Sequence, residues 1–204
     1  MTPDNPIMQN AIQSILAAEA AAIQSIPLDN PFEPAVQRFL ESARAGGKVV
    51  VSGVGKAGGI GAKIATTLCS VGVPSIFLHP LEAQHGDLGV LGVHDCLLLI
   101  SNSGKTREVV ELVHLARSLH PDVRIITITG KRDSALATSS DLVLWTGDPA
   151  EVCPLGLAPT TSATVMAVIG DVLAVLAVQL SGFTRQDYAL RHHAGYLGAV
   201  AKLG

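Results

Sequence analysis

The stretch "CLLLISNSGKTREVVELVHLA", residues 96–116, changes period in its middle. "CLLLIS" is a continuous apolar run, the pattern of a strand covered on both faces, and from Thr106 to residue 119 the apolar positions recur at helical spacing. A polar turn of two serines, an asparagine, a glycine and a lysine joins them. A buried strand feeding directly into a helix is the repeating unit of a parallel α/β sheet.

Four more strands are predicted by the same kind of run: "KVVVSG" (48–53), "VPSIFLH" (73–79), "VRIITITG" (123–130) and "DLVLWT" (141–146). The intervening helices are predicted over 57–71, in a short segment near 83–91, and over 134–139. Upstream, Ile12, Ile15, Leu16, Ile23 and Ile26 define a helix over 6–26 that Pro27 stops. A second helix over 32–45 turns Val36, Phe39 and Leu40 inward and ends at the glycines of "AGG" (45–47). A long apolar helix, residues 162–182, follows the last strand. The expected fold is a three-layer α/β/α sandwich around a five-stranded, doubly wound parallel sheet. It forms one domain over 1–204, in which the helices of 6–45 pack on an α/β core of 46–204.

Composition supports one substantial core, because 48% of the 204 residues are hydrophobic. Charged residues are 15% and the net charge is −3, so the basic field that nucleic-acid binding needs is missing. Cys69, Cys96 and Cys153 are odd in number and widely spaced, the pattern of reduced, buried thiols in a cytoplasmic protein. "MTPDNPIMQN" has no cationic start followed by an apolar stretch, so no signal peptide is expected. The apolar segment 162–182 approaches the length of a membrane span, but Asp171 lies at its centre. It is expected in a core or subunit interface, with no membrane partner.

In a doubly wound sheet ligands bind beyond the carboxyl ends of the strands. The turns after Gly53, His79, Ser101, Gly130 and Thr146 are therefore the places to read. "SGVGKAGGIGAK" contains Gly53, Gly55 and Gly58 in a G-x-G-x-x-G spacing, yet the next strand ends at His79 without the acidic residue that holds a dinucleotide ribose. A Walker loop is excluded, since Ala57 follows Lys56. What remains is a glycine-lined approach with Lys56 as a fixed cation. The turn 101–106 offers Ser101, Ser103 and the first N–H groups of a helix, a cradle for a small phosphate. It serves equally as a helix cap with Glu108 in a capping box. Two histidines, His79 and His85, stand in one polar loop; His94, His114 and His120 are expected exposed. Glu151 sits in a Pro/Gly-broken loop before the long apolar helix, where a solvated carboxylate is the ordinary finding.

Together "GVGKAGGIGAKIA", "HPLEAQHGDLG", "ISNSGKTRE", "EVCPLGLAPTTSAT" and "GDVLAV", with "HHAGYLG" near the end, resemble the sugar isomerase (SIS) domain family. Within it they resemble the arabinose-5-phosphate isomerase branch: "SNSG" marks SIS domains broadly, whereas "HGDLG" and "CPLGLAPT" are much more specific to this branch. The resemblance implies a flavodoxin-like, SIS-type sandwich that interconverts ribulose 5-phosphate and arabinose 5-phosphate, the first step toward the acidic sugar Kdo of lipopolysaccharide or capsule. It implies a cytoplasmic homotetramer with a sugar phosphate as ligand and no organic cofactor.

Carried over by position, the family's glycine-turn lysine falls on Lys56 and its candidate catalytic glutamates on Glu108 and Glu151. Its C-terminal histidine falls on His192, the histidine of H-G-D-L-G on His85, and the histidine associated with inhibitory zinc on His79. Glu108 or Glu151 would move the proton between C1 and C2, His192 would open the ring, and Lys56 would steady the enediolate. Ser101, Ser103 and Thr106 would hold the phosphate, with Ser52 and Gly53 beside the sugar. Glu151 and His192 lie in segments that a neighbouring subunit could supply.

Three departures stand out. The family's H-P-G-G has become His192-His193-Ala194-Gly195, and Lys105 follows "SNSG" where an acidic or small residue is usual, adding a cation near the phosphate. Longer members continue into paired CBS domains, and regulation through these is not expected in a chain ending at Gly204. An isomerase of another ketose phosphate and a non-catalytic sugar-phosphate sensor are the alternative readings.

Overall fold

A run of apolar residues on both faces of a strand can be accommodated only between two layers of protein. In the computed structural model, which describes residues 6–193, β1 (Val49–Gly53) and β3 (Cys96–Ile100) are buried at every position. β4 (Arg124–Thr129) is buried after its first residue. With β2 (Ser75–Phe77) and β5 (Leu142–Trp145) they form one parallel sheet in the order β2-β1-β3-β4-β5. Val50 pairs with Leu97, Leu97 with Ile125, and Ile128 with Leu144.

Alternate residues of the central strands feed two cores. Val49, Val51, Leu98, Ile100 and Ile126 face α2 (Phe32–Arg44), α3 (Gly55–Ser70) and α7 (Thr161–Ser181). Val50, Leu97, Leu99 and Ile125 face α4 (Pro80–Ala83), α5 (Arg107–Leu119) and α6 (Ala135–Thr138). α1 (Pro6–Gln24) packs on α7 and leaves Ile7, Met8, Ile12, Ile15 and Leu16 exposed.

The structure departs from the pattern in three places. β2 is an edge strand of three residues with Ile76 40% exposed, because Pro74 and Pro80 withdraw backbone donors on either side of the run. The helix expected near 83–91 divides into α4 and a 3-10 turn, Asp87–Val90, around Gly86, whose φ of 119° no helix accommodates. A short helix α8 (Arg185–Arg191) follows α7, opened by a reciprocal Thr184/Asp187 capping box.

α7 is long and apolar enough to cross a membrane, yet Val165, Met166, Ile169, Leu173, Ala174 and Ala177 lie in the core. Asp171 pairs with Lys63 of α3. Where α7 crosses α3, a Cβ on Gly170 would lie 2.5 Å from Ile64 Cδ1, inside a fully buried side chain. Helix propensity alone would make Gly170→Ala stabilising by about 1 kcal/mol. The expected outcome has the opposite sign, a loss of about 1–3 kcal/mol in denaturant unfolding, because the crossing is already closed.

Of the cysteines, Cys96 is buried, and desolvation pushes its thiol up to about 12. Cys69 is exposed and Cys153 half-buried, against the expectation of three buried thiols. His94 and His114 are exposed, whereas His120 is half-buried with Nε2 2.9 Å from the Leu91 carbonyl.

Candidate active site

The chain leaves β1 for β2 on one side of the sheet and resumes at β3 on the other, so the crossovers part between β1 and β3. That parting opens a crevice beyond their carboxyl ends. A cleft of about 640 Å³ occupies it, within the range of small-molecule sites. It is lined by Val54 and Lys56 after β1, by Ser101–Ser103 and Thr106 after β3, and by Lys131, Asp148, Glu151 and Ser162.

The glycines after β1 serve backbone approach. A Cβ on Gly58 would lie 2.8 Å from the Gly53 carbonyl, and Gly55 has φ +62°, so α3 starts tight against the strand. Lys56, in the first turn of α3, stands exposed at the cleft.

In the turn after β3, Ser101 Oγ lies 2.8 Å from Thr106 Oγ1 and accepts from the Gly104 N–H at 3.2 Å. Ser103 Oγ accepts from the Lys105 N–H. The capping reading fails here: Thr106 is the N-cap of α5 but makes no side-chain cap, its hydroxyl being turned to Ser101. Glu108 stands second in the helix, one residue short of a capping-box position. The positive end of α5 is thereby left toward the cleft with hydroxyls beside it, an arrangement suited to an anion.

Glu151 is the carboxylate built most firmly into the cleft. It accepts from the Thr160 N–H at 2.7 Å, the Thr160 hydroxyl at 2.9 Å, the Ser162 N–H at 3.3 Å and the Ser162 hydroxyl. These donors sit at the start of α7, so the carboxylate closes that N-terminus from outside the helix. Burial alone would raise its pKa, but the hydrogen bonds from Ser162 and Thr160 outweigh it and hold the group below the usual carboxylate range. Glu151 is therefore anionic at neutral pH and fixed in direction.

Of the residues singled out in the sequence, Lys56, Ser101, Ser103, Thr106 and Glu151 come together on this cleft. The others do not line it. Ser52 is fully buried and donates to the Leu78 carbonyl at 2.6 Å, tying β1 to the end of β2. Gly53 is packed between Ala57 and Ile100, and His85 is exposed beyond α4. Glu108 is half-buried on α5, off the lining. His192 stacks on Tyr188 and borders a separate groove of about 500 Å³ beside Phe77 at the β2 edge. The glycine turn after His193 lies outside the described residues.

His79 Nδ1 accepts from the Leu81 N–H at the start of α4, and no three His, Cys, Asp or Glu side chains gather for a metal among the described residues. The donors among the described residues of one chain do not fit the zinc that the resemblance implies. Lys105 is exposed and off the cleft lining, so the added cation does not face the phosphate cradle. Asn102, inside the serine turn but given no role by the sequence, lines the cleft too, as do Lys131 and Asp148, which no motif had singled out.

Comparison with known proteins agrees with this fold. The SIS domain family matches residues 43–176. Arabinose 5-phosphate isomerase KdsD of Shigella flexneri is 49% identical over 152 residues, 74% of this chain and 46% of that protein. KdsD of Pseudomonas aeruginosa is 47% identical over 152 residues, with the same two shares. The chain thus spans about half the length of these curated relatives. Among solved structures, a candidate phosphosugar isomerase involved in capsule formation from Bacteroides fragilis has a TM-score of 0.91 at 56% identity, covering 93% of this chain and 99% of that one. An Escherichia coli CFT073 protein in complex with arabinose 5-phosphate has a TM-score of 0.84 at 36% identity, with coverage of 93% and 99%. The matched segment contains the whole sheet with both turns that form the cleft, and the chain belongs to the SIS domain family.

Proposed function

We propose that the chain interconverts ribulose 5-phosphate and arabinose 5-phosphate through a cis-enediol. The observation that carries this reading is the pairing, in one cleft, of a hydroxyl-lined helix N-terminus with a directed, anionic Glu151. Relatives that carry the arabinose 5-phosphate isomerase name, and one solved with that sugar phosphate, support the choice of substrate.

Ser101, Ser103, Thr106 and the start of α5 would take the phosphate dianion. Glu151 would remove a proton from C1 of the open-chain ketose. The released electron pair forms the C1–C2 double bond and O2 takes up a proton. Loss of the O1 proton then restores a carbonyl at C1, and the proton held by Glu151 returns to C2. A cis-enediol presents both carbons to one base on one face. Lys56 would stabilise the developing oxyanion. Every hydrogen bond that a bound sugar takes from Thr160 or Ser162 makes Glu151 a stronger base. Glu108, in the first turn of α5, complements the helix dipole and is the second candidate for the shuttle.

His192 stands apart from the cleft of its own chain, which fits its delivery to a neighbouring subunit as the ring-opening acid. The apolar face of α1 suits burial in such a homotetramer. The low charge and reduced cysteines suit the cytoplasm, where the product would enter Kdo synthesis.

Incubation with ribulose 5-phosphate in D2O, followed by NMR, tests the reading. Arabinose 5-phosphate is expected, with deuterium at C2 in every turnover in which the proton on Glu151 exchanges with solvent before it is returned. Binding without turnover or exchange would overturn the isomerase and leave a sensor; turnover of a different ketose phosphate alone would overturn the substrate.

A further inference from the structure

The cleft contains a second lysine whose place is set by the fold and not by any motif. Lys131 follows β4, Asp148 follows β5, and their side chains form an ion pair on the lining that also includes Lys56. Asp148 has φ +54°, directly after Gly147 at φ +84°, and its N–H donates to Thr146 Oγ1 at 3.3 Å. Aspartate is among the few residues that tolerate this left-handed backbone. Gly130 admits no side chain: a Cβ there would lie 2.6 Å from Asn102 Oδ1 and 3.1 Å from Asp148 Oδ1. The turns after β3, β4 and β5 therefore converge on one point, immediately beside the Ser101–Thr106 cradle. Asn102 Oδ1 is buried there without a hydrogen-bond partner. A buried acceptor left unpaired is costly and calls for a donor from water or a ligand.

We propose that Lys131 is a phosphate-binding residue of this cleft, aimed by Asp148, and that Asn102 Oδ1 accepts from a sugar hydroxyl next to it. An ammonium has three donors, so Lys131 can keep Asp148 and still donate to a phosphate oxygen. Asp148 and Glu151 are the carboxylates on the same lining; Glu151 is engaged by Thr160 and Ser162. Lys131 is therefore the cation that offsets Asp148 when a dianion enters. This assignment rests on the sugar-phosphate reading above.

The test compares wild type, Lys131→Met, Lys131→Arg and Lys105→Met, each checked for an unchanged thermal melt. Affinity for inorganic phosphate is measured by calorimetry, and kcat and KM with arabinose 5-phosphate. Lys131→Met is expected to weaken phosphate binding and raise KM by about 10- to 100-fold, the value of a charge-assisted hydrogen bond. Its kcat should stay within about threefold, and Lys131→Arg should recover most of the loss. Lys105→Met, which removes the same charge from outside the cleft, should change either constant by less than about twofold. Phosphate affinity of Lys131→Met equal to that of wild type or of Lys105→Met overturns the proposal, as does a wild type that binds no phosphate. If wild type binds phosphate, loses it on Lys131→Met, and turns nothing over, the isomerase reading falls while the anion site stands.

Discussion

Glu151→Gln is expected to lower kcat for the interconversion by about 10²- to 10⁴-fold while changing KM little, since the substitution removes the proton acceptor and keeps the shape. Glutamine has one acceptor oxygen where the carboxylate has two, and both Glu151 oxygens accept from the start of α7. Stability should therefore fall as well, and its pH dependence separates the two roles. The folded pKa lies below the usual glutamate value, so the unfolded chain binds the proton more tightly than the folded one. The stabilisation is then fully present above the unfolded pKa, about 4.3, and is lost as pH falls through the lower folded value. The difference in melting temperature between wild type and Glu151→Gln should be constant near neutrality and shrink in acid. If Glu151 is the base of the free enzyme, its titration leaves kcat/KM flat between about pH 5 and 7. A variant with undiminished kcat would transfer the proton shuttle to Glu108; one with lowered kcat but an unchanged melting difference across acid would remove the helix-capping role.

The strands were readable because burial on both faces leaves continuous apolar runs, and "VVVSG" and "CLLLI" are the clearest of these. The edge strand was overestimated for a local reason: prolines at 74 and 80 limit pairing, while the run between them still looks apolar. Lys56, Ser101, Ser103, Thr106 and Glu151 were found because each follows a strand end or belongs to a recognisable motif. Ser52 was misplaced by adjacency, since its neighbour Gly53 opens the turn while its own hydroxyl is spent on Leu78. Lys105 and Lys131 show the converse. The first is conspicuous inside a motif and points outward, whereas the second sits one residue beyond a strand end already marked as a binding place. Following the rule about strand ends through β4 and β5 would have reached Lys131 and Asp148. His192 had no such signal either: its motif says nothing of the groove beside Phe77 that it borders.

Gly104→Ala should be among the most damaging single-methyl changes at the described residues. Gly104 has φ +60°, and an added Cβ would overlap the Ser134 hydroxyl and lie 3.1 Å from Thr129 Oγ1. Left-handed backbone costs a non-glycine residue about 1–2 kcal/mol, and overpacking adds about 1–3 kcal/mol. For a domain of this size the sum lowers the melting temperature by on the order of 10 °C. The harm extends to ligand binding, because the Gly104 N–H donates to Ser101 and the Gly104 carbonyl accepts from the Leu136 N–H at 3.0 Å, so the cradle and α6 share one anchor. Ser134→Gly added to Gly104→Ala separates the two causes. It removes the overlapping side chain, and the Ser134 cap on the Ala137 N–H is forfeited at a cost of only a few tenths of a kcal/mol. The double variant should recover about 1–2 kcal/mol over Gly104→Ala and regain phosphate affinity, leaving the backbone term behind. A double variant no more stable than the single would mean that the left-handed turn, and not the contact with α6, makes glycine obligatory between the cradle serines and α5.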